Sequence, residues 1–341
     1  MQKLTRVLPI AGEPLLVRSR REFITLLGSA ALAWPLAARA QQASEVPRVG
    51  YVYTGPKAAA ASRVDAMIHG LRETGFASPA QVEIVVRLTD GDPAQIAPMV
   101  EEVVGKKVNV FVANGPAVLQ VARKAAGAIP IVALDLESDP VAIGIAASLA
   151  HPGGNITGVF MDFPDFTAKW LELLVESNPK LSRVAVLWDP GTGPAQMEAV
   201  KKVAGSMKIE LDILQVRVVS DFEAAFSTAS QRGDGAMVIL SSPLISPNVQ
   251  ILADLALRNH LPAITLFPDF ARSGGLLAYG PNLLDLVRLI GNLTGKVLQG
   301  AKPADLPIER PSKFELVLNM RTAKALGRVD GFDPEFRCCD A

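Results

Sequence analysis

Cysteine is almost missing from this chain: the two present, Cys338 and Cys339, stand side by side near the C-terminus. Neighbouring cysteines rarely bridge each other, so no disulfide framework is expected in the core. None lies near Ala40 to carry a lipid anchor. Histidine is limited to His69, His151 and His260. Scattered as they are, and with no paired cysteines, they do not make a metal site. Charge of one sign is lacking too, since 34 Lys+Arg balance 34 Asp+Glu. That balance leaves no footprint for nucleic acid or for an anionic membrane surface. Nucleotide and hydrolase signatures also fail. The first strand-to-helix junction carries Gly55 but no G-x-G-x-x-G, and there is neither a P-loop nor a G-x-S-x-G elbow. Ser177-Asn178-Pro179-Lys180 matches S-x-x-K by letters, but Pro179 makes it a turn. No nucleophile stands near a base, so a binding protein without cofactor, metal or catalytic residue is expected.

Long apolar runs are confined to the N-terminus. Ser19-Arg20-Arg21-Glu22-Phe23-Ile24 has the twin-arginine pattern, an apolar stretch from Ile24 to Ala38 follows, and Ala38-Arg39-Ala40 supplies a small-x-small cleavage signal. The stretch is interrupted by Pro35 and falls short of the ~20 residues that span a bilayer. The alternative is an uncleaved anchor. The reading adopted is residues 1–40 as a twin-arginine-type signal peptide cleaved after Ala40, leaving a periplasmic protein without lipid. Met1 to Arg18 is surplus to an ordinary signal and fits an upstream start assignment. The remaining 41–341 exceed the ~250–300 residues at which one hydrophobic core usually divides.

What is present is a rhythm of short apolar runs and amphipathic helices. Val49–Tyr53, Val82–Leu88, Val108–Ala113 and Ile131–Leu134 read as strands separated by helices, and their near-continuous apolar character marks a parallel sheet covered on both faces. At Asp139-Pro140 a helix start is predicted, followed by a small-residue helix, a turn at Pro152-Gly153-Gly154-Asn155 and a strand at Ile156–Phe160. The pattern then begins again, with strands at Val184–Trp188, Leu211–Val216, Ala236–Leu240 and Ala263–Phe267. Leu276–Tyr279 reads as a strand crossing back, and a helix from about Leu283 to Leu298 is expected to pack on the first half. A last strand is expected at Phe314–Asn319. The fold class is therefore α/β, two similar Rossmann-like lobes with parallel sheets joined by several hinge crossings. One lobe is assigned 46–160 plus 281–311 and the other 161–280 plus 312–327.

The crossover wording, IP-IV-x(4)-DP-V-x(2)-G-x(3)-SLA-x-PGGN-x-TG, resembles the periplasmic substrate-binding proteins of ABC transporters, in the branch related to tryptophan- and tyrosine-binding lipoproteins. The likeness continues through LSRVAVLWDP (Leu181 to Pro190), LRNHLPAI (Leu257 to Ile264), GGLLAYGPN (Gly274 to Asn282), GAKPADLPIERPSKFELVLN (Gly300 to Asn319) and TAKALG (Thr322 to Gly327). It implies a type I clamshell that closes on an amino acid or similar small organic anion and serves a membrane permease with its ATPase. A monomer is expected. A periplasmic sensor feeding a membrane receptor remains the alternative. The resemblance stops after Gly327, and Arg328 to Ala341 is expected to form a divergent, poorly ordered tail.

In open α/β sheets, ligands bind beyond the carboxyl ends of strands. Those ends give the candidate ligand-binding set: Tyr53, Thr54, Asn114, Gly115, Ala117, Asp135, Asp139, Phe160, Trp188, Ser241, Phe267 and Tyr279. In Asn114-Gly115-Pro116-Ala117, Asn114 can cap, Gly115 permits close approach, and the amides of Ala117 and Val118 can receive a carboxylate. The same tetrad also reads as an ordinary strand-to-helix turn. Asp135, Glu137 and Asp139 can receive an ammonium; Asp139 reads first as a helix cap, and Asp135, directly after its strand, is the better cleft carboxylate. The aromatic residues fit cleft walls or core.

Overall fold

The computed structural model describes residues 46–327 other than 56, 79 and 162. The segments assigned to the signal peptide and the tail lie outside the described residues. The first sheet has five parallel strands in the order β2-β1-β3-β4-β5. These are β1 Arg48–Tyr53, β2 Glu83–Leu88, β3 Val110–Asn114, β4 Ile131–Asp135 and β5 Ile156–Phe160. Strands β3, β4 and β5 are buried along their whole length, as parallel strands between helix layers must be. Helices α1 (Lys57–Glu73), α2 (Ile96–Gly105) and α3 (Pro116–Ala125) connect them. Alternation along each strand divides the side chains between two layers. Tyr51, Val110, Val112, Val132 and Val159 face one core, while Val52, Phe111, Ala113, Ile131 and Phe160 face the other.

The second sheet has six strands in the order β11-β10-β9-β8-β6-β7. They are β6 Arg183–Trp188, β7 Glu210–Gln215, β8 Ala236–Ile239, β9 Ala263–Thr265, β10 Leu277–Gly280 and β11 Glu315–Leu318. Its helices are α4 (Phe163–Ser177), α5 (Ala195–Met207), α6 (Asp221–Gln231), α7 (Val249–Arg258) and α8 (Pro268–Arg272). This sheet is not purely parallel, because β11 runs antiparallel to β10 at the edge. Short helix α10 (Met320–Ala325) follows it, capped by the Asn319 side chain on the Thr322 amide.

Helix α9 (Leu283–Leu298) follows β10 of the second sheet yet packs on α1 and on β3 to β5 of the first. The two helices approach at backbone distance. A Cβ on Gly70 would fall on the Arg288 carbonyl, one on Gly291 on the Met67 carbonyl, and one on Gly295 on the Thr74 hydroxyl. An ion pair between Arg288 and Glu73 at 3.1 Å and a bond from Gln299 Nε2 to the Thr74 carbonyl at 2.6 Å flank this seam. From α9 the chain runs along β5, where the amides of Phe160 and Glu309 donate to the carbonyls of Glu309 and Gly158. It then returns to form β11. The described chain thus passes between the sheets after β5, after β10 and between Glu309 and Glu315.

One predicted element is absent. No helix follows Asp139-Pro140; residues 140–144 form a turn and 145–150 are bends and irregular chain. Asp139 does cap, its Oδ1 accepting the amides of Val141 and Ala142 at 2.8 and 3.1 Å. The turn is then closed by Gly144, at φ +67°, while the amides of Ile145 and Ala146 both return to the Pro140 carbonyl. That pattern ends a helix after one turn. With Val141 and Ile143 exposed, no apolar face exists to draw the segment onto the core.

Candidate functional site

The strand ends of the two sheets meet across a cleft with two compartments. The inner one is lined by Tyr53, Arg63, Asn114, Gly115 and Glu137 from the first half and by Ser241, Ser242, Ser246 and Phe267 from the second. The outer is lined by Thr54, Pro93, Ile96, Pro116 and Ala117 on one side and Asp189, Arg217 and Leu244 on the other. Pro243 borders both.

On the first half, β1 delivers Tyr53 with a ring only 1% exposed and a hydroxyl buried beside Arg63. The Arg63 guanidinium lies over that ring, 4.7 Å from its centre. Burial pushes the Tyr53 hydroxyl above its ordinary pKa, with Arg63 acting in the opposite sense. Gly55 follows because a Cβ there would meet the Tyr53 phenol. Arg63 itself is only 5% exposed and donates from Nη2 to Ser246 Oγ at 3.2 Å, joining the two halves. Among the described residues it has no carboxylate within ion-pair range.

At the end of β3, Asn114 does not cap α3. Its Nδ2 donates to the Tyr51 hydroxyl at 3.0 Å, beneath the cleft floor. Burial raises that Tyr51 hydroxyl to about 12. The capping position falls to Gly115, at φ +92°, a conformation that favours glycine. A Cβ there would also come within 3.2 Å of Pro243 Cγ across the cleft.

The acids after β4 divide their roles. Asp135 is fully buried, with Oδ1 accepting the amides of Glu137 and Ser138 at 2.9 and 3.0 Å and Oδ2 unpaired. It holds the turn and does not line either compartment. Glu137 is the acid that reaches the cleft. Its Oε1 accepts the Ser241 hydroxyl at 2.7 Å from the opposite half, and its Oε2 accepts the Leu136 amide at 3.1 Å. Burial first, and the neighbouring Asp135 second, push Glu137 up to about 8. Asp135 is raised likewise by its burial.

On the second half, Ser241 is held by Gln196, which accepts its amide at 2.9 Å and donates to its carbonyl at 2.8 Å. Ser242 Oγ accepts the amides of Leu244 and Ile245, so the loop after β8 is fixed from within. Trp188 is half-buried with an unpartnered indole N–H, and Asp189 beside it caps the next turn through the Gly191 amide.

Of the candidate set, the structure gathers Tyr53, Asn114, Gly115, Ser241 and Phe267 into the inner compartment, and Thr54 and Ala117 into the outer. Five lie elsewhere. Asp135 is under the turn and Asp139 is exposed at its cap. Trp188 borders neither compartment. Phe160 points into the core between the first sheet and α2 and α3. Tyr279 packs its ring on Phe166 and Phe314, while its carbonyl accepts Trp170 Nε1 at 2.8 Å. Arg63, Ser242 and Ser246 were outside the set, and Glu137 was weighed only beside its neighbours. Arg63 had a legible signal: it stands on the α1 stripe Ala60, Arg63, Met67, Leu71, all buried, where a cation is out of place.

Among the described residues no group of His, Cys, Asp and Glu could hold a metal, and no helix is long and apolar enough to cross a membrane. Comparison with known proteins agrees with this architecture. The chain is 25% identical over 261 residues to a tyrosine-binding protein of Clostridioides difficile (strain R20291), covering 76% of this chain and 74% of that one. Among solved structures, a conserved domain protein from Vibrio cholerae superposes with a TM-score of 0.76 at 20% identity, over 84% of this chain and 96% of that one. An ABC domain in complex with L-Trp from Streptococcus pneumonia superposes with a TM-score of 0.75 at 21% identity, over 83% and 95%. These place the fold as the two-lobed clamshell of type I periplasmic binding proteins. The model of the ABC transporter substrate binding protein family matches residues 56–329, most of the chain, and the chain belongs to that family.

Proposed function

We propose that this chain is the extracytoplasmic receptor of an ABC importer, taking an amino acid or related small organic anion into the cleft and presenting the closed form to a permease and its ATPase. The observation that carries this reading is the pair of side-chain bonds spanning the cleft, Glu137 to Ser241 and Arg63 to Ser246. Groups that meet only when the halves are together let a bound molecule touch both. Such a molecule shifts the open–closed equilibrium by its difference in affinity for the two forms. The likeness to a tyrosine-binding protein and to an L-Trp complex supports an amino-acid-like ligand. Export by the leader at 1–40, and action as a monomer that binds without catalysis, belong to the same proposal.

The test is a thermal-unfolding screen of the chain against amino acids, small carboxylates, amides and sugars. A ligand of the folded state adds ~2.7 kcal/mol at one hundred times its dissociation constant, a readily measured rise in midpoint. A rise that disappears when Gly115 or Ser241 is changed supports the cleft. A rise indifferent to both, or no rise with any class, would count against it.

A further inference from the structure

We infer that Arg63 is the anchor of the cleft and that the ligand class is a monocarboxylate with an apolar body, its carboxylate held in the inner compartment and its body lying in the outer. This rests on the cleft reading above. A guanidinium offers five N–H donors in a planar fork, and Arg63, only 5% exposed, meets the Ser246 hydroxyl and the Tyr53 side chain. A buried cation without a counter-ion is costly, and an anion placed against its fork recovers that cost. The buried Tyr53 hydroxyl lines the same space and supplies a further donor. A single cation in a small compartment suits one negative charge, and the fork geometry suits a carboxylate.

The neighbouring groups fix the direction. Glu137 faces Arg63's compartment from the end of β4, but it is engaged with Ser241 and the Leu136 amide, and its burial beside Asp135 disfavours its charge. The compartment therefore keeps the positive charge of Arg63, and a ligand ammonium is not required to balance it. The α3 N-terminus, the receiver expected from sequence, opens instead on the outer compartment, where Ala117 lies across from both Asp189 and Arg217. Arg217 is exposed there, so water and salt screen its charge more than that of the buried Arg63. Pro93, Ile96, Pro116 and Leu244 give that space apolar walls, and Pro243 makes it continuous with the inner one.

The experiment measures binding of four probes to the full-length chain by calorimetry: L-phenylalanine, 3-phenylpropanoate, L-phenylalaninamide and 2-phenylethylamine. The two acids are expected to bind at least about tenfold more tightly than the amide and the amine, about 1.4 kcal/mol. In Arg63→Met, and in Arg63→Gln as a closer match in polarity, that preference is lost. Lys201→Gln, which removes an exposed cation that lines neither compartment, keeps it. Amide or amine binding as tightly as the acids overturns the assignment, as does an acid preference that survives in both folded Arg63 variants. Phenylalanine binding while phenylpropanoate fails overturns the dispensable ammonium. A neutral sugar bound in preference, and lost on changing Ser241, leaves the cleft reading standing and overturns the carboxylate. Failure of every probe and sugar with a chain that unfolds cooperatively sinks both.

Discussion

Glu137→Gln isolates the consequence of burying an acid between the halves. In the folded chain Glu137 sits at about 8 against an ordinary 4.5, because burial and the adjacent Asp135 disfavour its charge. Between those values the folded form keeps a proton that the unfolded chain has released. Stability then falls as pH rises through the window, by up to about 1.4 kcal/mol per pH unit for one proton. Glutamine has the same shape, with an oxygen for the Leu136 amide and an NH₂ that can donate to Ser241 Oγ. The gap in favour of the variant should be smallest at pH 5, widen steadily from there, and level off above about pH 8, at a few kcal/mol. Urea unfolding at half-unit steps from pH 5 to 8.5, with the free energy taken by linear extrapolation, gives both curves. Asp135→Asn provides a second, separate loss of slope, since that carboxyl is also raised by burial. Parallel curves for parent and Glu137→Gln across the whole range would refute the reasoning, because Glu137 would then titrate as a solvated acid and the cleft could not be closed around it.

Three further outcomes follow from contacts already described. Gly291→Ala drives a methyl against the Met67 carbonyl and should cost about 1–3 kcal/mol, read as a lower urea midpoint at unchanged slope. Gly115→Ala adds strain of roughly 1–3 kcal/mol at φ +92° and crowds Pro243. It should weaken binding of any cleft ligand in calorimetry as well as lower the melting temperature. Trp170→Phe removes the 2.8 Å bond to the Tyr279 carbonyl from a fully buried site, and leaving that acceptor unpaired should lower unfolding free energy by about 1–3 kcal/mol.

The layered architecture was legible because its signals are local. Ile131–Asp135 and Ala236–Ile239 are buried at every position and announce themselves as short apolar runs. The helices between them carry regular stripes. Asp139-Pro140 misled because a cap and a proline specify only a first turn, and what continues a helix is an apolar face that Val141 and Ile143 do not find. The site was harder, because the end of a strand fixes where a backbone stops and not where a side chain points. Phe160 and Tyr279 both stand at strand ends, yet Phe160 faces the core and Tyr279 faces Phe166 and Phe314. Glu137 and Arg63 acquire their roles from Ser241 and Ser246, more than 100 residues away in the chain, and no local pattern carries such a pairing.

The glycine seam between α1 and α9 also sets an order of assembly. On the ribosome, α1 emerges early and α9 only after the strands from β6 to β10 have been made. Until then the face of α1 built around Gly70 has nothing to close it, although all five strands of the first sheet have long been available. Long-range closure of this kind is slow, and the surface left bare meanwhile is prone to stray association. The nascent first half therefore waits for the second, and the helix that carries Arg63 gains its final support among the last events of folding.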